Sequence, residues 1–423
     1  MPRRILTGLL FLIIFYHLIF SQSTFSINGY YKNYFTAIDL PKYESASSPL
    51  VINQPPLGWV NNRLRLNIFY RIESNLSFTL AYDFSPRIQD PLLFESQPII
   101  LPVDPSSYRF ADFNRRLYPS EGEEVSSFGI FQNLDRAYFS LRLKAADLFI
   151  GRQALAWGSA RVINPTDVIA PFAFYELDTE DRIGVDAIRM RVPMGFMGEF
   201  DNGYIFGKDL HFNQSAFYIR SKVYLSQSDI SVLLLGFRNN LLLGVDIARA
   251  IGGAGFWLET AYVFLKAFKN YDEGKKDNYL RVSTGIDYSL GEKTYAFLEL
   301  HFNGAGSTNP EDYLPNFVKP AYTEGAVYLT GKYYMAPGIM YQITPLIILN
   351  GIAFFNFTDP SLYLAPAIEY NLSENIYISG GIYLGIGKNP QFSGSFNDFS
   401  DINYCSEFGG YPNIYFTSFR IYF

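Results

Sequence analysis

The last eleven residues, 413–423, restrict the fold more than any other stretch of the chain. They read NIYFTSFRIYF, and alternate positions carry aromatic and β-branched residues: Tyr415, Thr417, Phe419, Ile421 and Phe423. Successive side chains of a strand point to opposite faces, so these five residues share one face. A soluble sheet that ended on such a strand would expose an adhesive edge, whereas a closed barrel pairs its last strand with its first. The stretch therefore predicts an all-β, closed transmembrane barrel.

Composition favours the same class of protein. Aromatic residues make up 18% of the chain and charged residues only 17%, whereas ordinary soluble domains carry roughly 25% charged residues. Excess Tyr and Phe suits the interfacial girdles and lipid-facing band of a barrel. The formal net charge of −6 argues against nucleic-acid binding, and the single cysteine, Cys405, excludes a disulfide scaffold.

The amino-terminal residues predict export. Arg3 and Arg4 precede an apolar run over residues 5–20, and the small polar residues Ser21, Gln22 and Ser23 follow. This order is typical of a signal peptide, residues 1–23, cleaved to leave a barrel over 24–423. A membrane-anchoring helix is the alternative, but the run is short for a span and no basic stop-transfer segment follows. We expect a protein of the bacterial outer membrane.

Alternation of apolar and polar residues recurs along the whole chain. Leu64, Leu66 and Ile68 oppose Arg63 and Arg65, for example. Eight short turns and nine other links divide the chain into eighteen strands, with sixteen as the alternative, and this suits a single antiparallel barrel. The longest links are expected as loops at 85–133, 158–180, 304–325 and 387–411.

One predicted strand breaks its own alternation. Val185 and Ala187 share one face, whereas Ile188 and Met190 take the other. A β-bulge near Ala187 would restore the register. A wrongly assigned strand is the alternative.

The most specific internal pattern lies between residues 134 and 190. It combines G-R-Q, W-G and N-P-x-D with a later G-x-D, at Gly151, Arg152, Gln153, Trp157, Gly158, Asn164, Pro165, Asp167, Gly184 and Asp186. In these residues the chain resembles the alginate-export-type outer-membrane porins. The resemblance implies an eighteen-strand channel whose lumen carries arginines for acidic sugars or small organic anions.

The residues of this segment also have a physical interpretation. Proline fixes φ and Asn or Asp accepts backbone hydrogen bonds, so 164–167 predict a turn or helix start. The loop that follows is expected to fold into the lumen as a constriction. Its constriction residues are Trp157, Arg161, Asn164, Pro165 and Asp167. The alternative is that these residues hold the loop and contact no solute.

Charged residues at predicted inward positions are unevenly distributed along the chain. Basic residues come from early strands and acidic residues from later ones, which predicts opposite walls and a transverse field across the pore. Neutralisation between neighbouring strands is the alternative. The candidate pore-lining residues are Arg63, Arg65, Arg71, Arg136, Arg142, Arg152, Arg189, Arg191, Arg220, Asp246, Glu259, Asp287 and Glu299.

Together these patterns predict a porin-like channel for small hydrophilic solutes, anionic or sugar-acid solutes among them. A barrel that anchors a periplasmic or surface partner is the second hypothesis. An outer-membrane hydrolase built on His301 and Ser307 is the third, although we expect no enzyme. His211 and His301 lack metal-ligand spacing, so no metal or cofactor is expected. Expected partners are outer-membrane lipid and the barrel-assembly machinery. Phe419, Ile421 and Phe423 are expected to form the signal that this machinery binds. The oligomeric state stays open.

Overall fold

The structure is a computed structural model of the 423-residue chain. It describes residues 24–45, 51–52, 55–95, 108–120, 123, 127–172, 176–268, 277–392 and 402–423. The signal peptide expected at 1–23 lies outside the described residues, as do parts of the loops expected at 85–133, 158–180 and 387–411.

Eighteen long strands form one antiparallel barrel, as the sequence predicts. Each strand pairs with the next along the chain. The strands are β1 Phe25–Asp39, β2 Leu57–Arg71, β3 Leu76–Gln89, β4 Phe128–Arg142, β5 Asp147–Gln153, β6 Val185–Met194, β7 Gly198–Ile205, β8 Ala216–Leu225, β9 Ser228–Phe237, β10 Asn240–Ile251, β11 Ala254–Phe264, β12 Tyr279–Leu290, β13 Thr294–Asn303, β14 Tyr333–Thr344, β15 Ile347–Asn356, β16 Ser361–Ser373, β17 Ile376–Ile386 and β18 Asn413–Tyr422.

The carboxyl-terminal strand closes the barrel. β18 pairs with β17 on one side and with β1 on the other, from Tyr30 opposite Tyr422 to Asp39 opposite Asn413. The amide of Phe423 donates to the carbonyl of Gly29 (3.0 Å), and the amide of Gly29 donates back to Phe423 (2.9 Å). These pairings leave no free strand edge, which explains how the chain tolerates an apolar last strand.

The two ends of the barrel differ. At the turn end, eight connections of two to four residues join consecutive strands; Gly252 and Gly253, both with positive φ, form the tight turn between β10 and β11. At the opposite, loop end lie the long connections. Strands Tyr43–Ser45, Val51–Ile52, Gln391–Phe392 and Ile402–Asn403 form a small sheet there that joins the first and last loops.

The outer face of the barrel is apolar and exposed. Leu243, Ile286 and Leu300 are among the outward side chains, and they form the belt expected of a barrel that faces lipid. No described helix is long and apolar enough to cross a membrane. Buried apolar side chains instead cluster inside the barrel, where loop segments, chiefly at 155–169, 305–329 and 408–411, fill the loop end of the lumen.

Candidate functional site: the lumen and the loop that crosses it

The segment between β5 and β6, residues 154–184, folds into the lumen. It begins and ends at neighbouring points of the wall, because Gln153 of β5 pairs with Val185 of β6. Its first half, however, contacts β10 to β13, well away around the wall. We call this segment the crossing loop.

Two wall glutamates hold the first half of the crossing loop. Glu299 accepts hydrogen bonds from the amides of Arg161 (2.7 Å), Val162 (3.2 Å) and Ile163 (2.9 Å). Glu259 accepts from the amides of Ser159, Ala160 and Thr166 and from the Thr166 hydroxyl. Both carboxylates are fully buried. The hydrogen bonds from these backbone N–H groups replace the hydrogen bonds to water that a carboxylate loses on burial.

Side chains add to this attachment. Arg161 makes an ion pair with Asp287 (2.8 Å), and its guanidinium lies 5.3 Å from the centre of the Trp257 ring. The Ser159 hydroxyl donates to Asp246. These contacts place the loop directly on the inward carboxylates of β10 to β12.

The second half of the crossing loop is bound to another sector of the wall. Asp178 pairs with Lys32 of β1 (2.8 Å) and Arg63 of β2 (3.0 Å). Glu180 also pairs with Lys32 (2.6 Å), and Asp181 accepts from the Tyr30 hydroxyl (2.7 Å). Burial alone would raise the pKa of Asp178, but Lys32 and Arg63 hold it below its usual value. The loop is therefore anchored to two separate sectors of the wall.

Asp167 joins the two halves of the loop. Its carboxylate is buried and pairs with Arg182, which also donates to the carbonyl of Ala170 (2.8 Å). Burial raises the pKa of Asp167 to about 6, against the opposing effect of Arg182. The turn expected at 164–167 is present as a hydrogen bond from the amide of Asp167 to the carbonyl of Asn164 (3.2 Å).

Apolar side chains of the loops pack against the inward face of the wall. Trp157 lies 4.7 Å, centre to centre, from the ring of Tyr218. Val185 and Ala187 of β6 face inward and belong to the same buried cluster. β6 pairs with β5 and β7 without a register shift, so the bulge expected near Ala187 is wrong. Val185 and Ala187 of β6 can face inward because the loop end of the lumen is filled with protein.

A second buried cluster lies at 404–411. Glu407 accepts hydrogen bonds from the backbone amide of Thr330 (2.9 Å), from the Tyr334 hydroxyl (2.5 Å) and from the side-chain amide of Asn356 (2.8 Å). It thereby joins the 304–332 segment to β14 and β15. Burial raises the pKa of Glu407 to about 7 despite these hydrogen bonds.

The predicted pore-lining residues mostly lie on inward positions, and most of their charges are paired. The arginines of early strands pair with acids of nearby strands, as in Arg65–Asp83, Arg65–Asp135 and Arg189–Asp201. The early wall is therefore not basic alone, and the expected transverse field is not supported. Ion pairs also occur at Arg63, Arg136, Arg142, Arg191 and Arg220.

Arg152 differs from the sequence-based expectation. It shares its strand face with Leu148 and Ile150, whose side chains point out of the barrel. Its partner Asp186 (2.7 Å) likewise shares a face with the exposed Ile188. The pair lies on the outer side of the wall.

Sequence patterns missed several residues that organise the lumen. Lys32, fully buried, anchors the crossing loop, and Glu407 binds two loops together. Arg281 of β12 is also almost fully buried, and its Nε and Nη1 have no hydrogen-bond partner among the described residues. Nothing in the local sequence indicated the burial of Arg281.

The hydrolase hypothesis gains no support from the geometry. His301 Nδ1 lies 2.8 Å from the Ser283 hydroxyl, which also donates to the carbonyl of Ile163 (2.6 Å). Ser307 hydrogen-bonds Asp312 instead (2.7 Å). The expected His301–Ser307 pair is not formed.

Two solved structures share this architecture over nearly the whole of both chains. OccAB2 of Acinetobacter baumannii superposes with a TM-score of 0.56 at 8% identity, covering 94% of this chain and 98% of that one. OpdK of Pseudomonas aeruginosa, determined with vanillate, gives a TM-score of 0.53 at 8% identity with the same coverage. No protein-family model matches the sequence, and no curated protein matches it with significance.

The fold is thus that of the outer-membrane porins, a closed eighteen-strand antiparallel barrel with a loop folded inside. At this level of identity the likeness is one of fold. It supports a porin-type barrel but not the alginate-export type in particular.

Proposed function

We propose that the protein is an outer-membrane channel that passes small hydrophilic solutes through a narrowed lumen. The observation that carries the proposal is the double anchoring of the crossing loop. Its first half is bound to Glu259 and Glu299, and its second half to Lys32. A loop held at both sectors restricts the size of solutes, as a constriction does, and makes the channel selective by size.

We further propose that the preferred solutes are small organic anions, including sugar acids. Arg71 and Arg142 line a cavity of about 390 Å³ at the turn end. Guanidinium groups bind carboxylates through paired, charge-assisted hydrogen bonds. The OpdK structure was determined with vanillate, a carboxylate, and this supports the same chemistry here.

The proposed location is the bacterial outer membrane, with the turn end toward the periplasm. Short periplasmic turns and longer outer loops are the rule in such barrels. The partners that this location implies are outer-membrane lipid and the barrel-assembly machinery. The proposed assembly signal consists of Phe419, Ile421 and Phe423.

Single-channel recording tests this function. Refolded protein in a planar bilayer is expected to give a steady conductance, and its reversal potential under a glucuronate gradient is expected to show anion permeation. Arg71→Gln, at the turn-end cavity, should reduce the glucuronate permeability. Arg249→Gln, which removes an exposed arginine of β10, is the matched control and should leave it unchanged. Equal permeability to glucuronate and to its potassium counter-ion would overturn the anion preference.

A scaffold barrel is the second candidate, because apolar loop side chains fill the loop end of the lumen. Folded protein, shown by its altered gel migration before heating, would then conduct no current across a wide voltage range. That result would overturn the channel and leave the anchoring of a partner as the function.

A further inference from the structure

The barrel wall is incomplete beside β5. This strand spans only Asp147–Gln153, whereas its neighbour β4 spans Phe128–Arg142. Beyond Gln153 the edge of β4 is instead paired by the short strand Arg116–Tyr118. A segment of the loop between β3 and β4 therefore takes the place of the missing strand.

The same loop covers an ion pair on the outer face of the wall. Arg152 is only 5% exposed although its strand neighbour Ile150 is 45% exposed. Its guanidinium donates to Asp186 (2.7 Å), Asp112 (2.8 Å) and the carbonyls of Ala111 (2.6 Å) and Leu134 (2.9 Å). A charged pair on a lipid-facing surface is costly unless it is shielded and fully hydrogen-bonded. The loop shields the pair from lipid and supplies two of its acceptors, Asp112 and the carbonyl of Ala111.

A mostly apolar groove forms between the covering loop and the outer wall. Its cavity measures about 550 Å³. Phe110 and Phe113 line its loop side, and the centre of the Phe110 ring lies 6.4 Å from that of the Phe206 ring. Ala137, Ile150 and Ile188 form the wall side.

The groove is continuous with the lipid-facing belt and closed toward the lumen. Ile150 and Ile188 belong to the exposed outward face of β5 and β6. On the lumen side the groove is closed by the wall itself, because β5 pairs with β6 from Asp147 to Gln153, and the Arg152–Asp186 pair covers this part of the wall from outside. A solute in the channel therefore has no direct route to the groove, whereas a hydrocarbon chain of the surrounding membrane does.

We propose that this groove binds one acyl chain of a membrane lipid, which packs against Ile150 and Ile188 beneath Phe110 and Phe113. Burial of the chain adds apolar contact where the wall has a gap and excludes water from the ion pair. The inference rests on the barrel lying in a membrane and is independent of solute conduction.

Photo-crosslinking in lipid nanodiscs tests the proposal. The probe is phosphatidylglycerol with a diazirine near the end of one acyl chain, and labelled peptides are mapped by mass spectrometry. Labelling is expected to concentrate on the peptides that carry Phe113 and Ile150. Ala137→Phe fills the groove and should lower that labelling to the level of other lipid-facing peptides. Ala353→Phe, an outward alanine on β15 opposite Leu364, is the matched control and should leave it unchanged.

Ile188→Trp is a second groove-filling variant, in case Ala137→Phe fails to fold. Gel migration before and after heating reports folding of each variant. Even labelling around the belt, or undiminished groove labelling in a folded Ala137→Phe or Ile188→Trp protein, would overturn the proposal. Loss of channel current with normal groove labelling would count against the proposed function alone.

Discussion

The inward glutamates act mainly on the backbone of the crossing loop. Glu259 and Glu299 were expected as free pore charges, but each receives three amide donors from the loop. Trp257 adds its indole N–H to Glu299 (3.1 Å). A buried carboxylate that accepts this many hydrogen bonds holds the loop in place and contributes little to the electric field in the pore.

Removal of the Glu299 carboxylate should release the first half of the crossing loop. In Glu299→Ala the amides of Arg161, Val162 and Ile163 lose their acceptor, and each buried N–H left unpaired costs about 1–3 kcal/mol. Trypsin is then expected to cleave after Arg161 much faster than in the parent protein. Glu369→Ala is the control, because the Glu369 carboxylate pairs with Arg420 of β18. Unchanged cleavage in Glu299→Ala would contradict this role.

Glu407 should make the closure of the 304–332 segment depend on pH. Burial raises its pKa to about 7 in the closed arrangement, against an ordinary value of 4.5. The closed arrangement thus binds a proton more tightly, so protonation favours closure at low pH and this contribution is lost as pH rises from 4.5 through 7. It amounts to about 3 kcal/mol.

Hydrogen exchange of the Thr330 amide, which donates to Glu407, measures this effect. Protection, corrected for intrinsic exchange, is expected to be lower at pH 8 than at pH 5. Glu407→Gln is nearly isosteric and uncharged, so its protection should be the same at both pH values. A pH effect that survives in Glu407→Gln would assign the titration to another group.

At the level of elements, alternation predicted the strands but not the direction of every face. The eighteen strands and eight short turns follow from a period of two, because the outward face must be apolar in lipid. The rule fails at β6, where Val185 and Ala187 face inward. An apolar inward face is equally stable once a loop covers it, and local sequence does not show that cover.

The contacts of the crossing loop were beyond sequence reasoning for a related reason. Asn164, Pro165 and Asp167 indicated a turn, and Trp157 and Arg161 a loop inside the lumen. The wall residues that hold this segment, however, lie far away along the chain: Glu259 is 93 residues from Thr166, and Glu299 is 138 residues from Arg161. Only the closed barrel brings these residues together.

The closing contact between β18 and β1 should depend on Phe423. Its backbone exchanges two hydrogen bonds with Gly29, and its ring lies against the same residue. Phe423→Ala is expected to lower the fraction of protein that assembles into the heat-modifiable barrel form. Tyr415→Ala, on the same face near the other end of β18, is the control and should assemble more fully. Equal assembly of the two variants would contradict a special role for Phe423.

On the scale of the whole molecule, the barrel has a filled loop end and a more open turn end. Loop side chains and inward wall residues form two buried clusters, one around Trp157 and one around Phe408. At the turn end, Arg71, Tyr138 and Arg142 line a cavity. The wall is closed by strand pairing, with the short strand Arg116–Tyr118 beside β4, so closure does not require the crossing loop.

Replacement of residues 155–183 by a short Gly-Ser linker should therefore widen the lumen without opening the wall. The linker is short enough because Gln153 and Val185 are paired neighbours. Single-channel conductance is expected to rise. The deletion also uncovers four inward carboxylates, at Asp246, Glu259, Asp287 and Glu299. Of the cations that it uncovers, Arg63 and Arg65 keep Asp83 as a partner, whereas Lys32 loses both Asp178 and Glu180. The reversal potential in a KCl gradient should shift toward cation selectivity.

The four carboxylates provide the internal control. Glu259→Gln with Glu299→Gln in the shortened protein should return the reversal potential toward that of the parent, because two of the newly hydrated charges are removed. The same pair of substitutions should leave conductance high, since pore width is set by the missing loop and not by charge. A shortened barrel that is folded but conducts no more than the parent would show that the 304–332 and 404–411 segments, and not the crossing loop, limit passage.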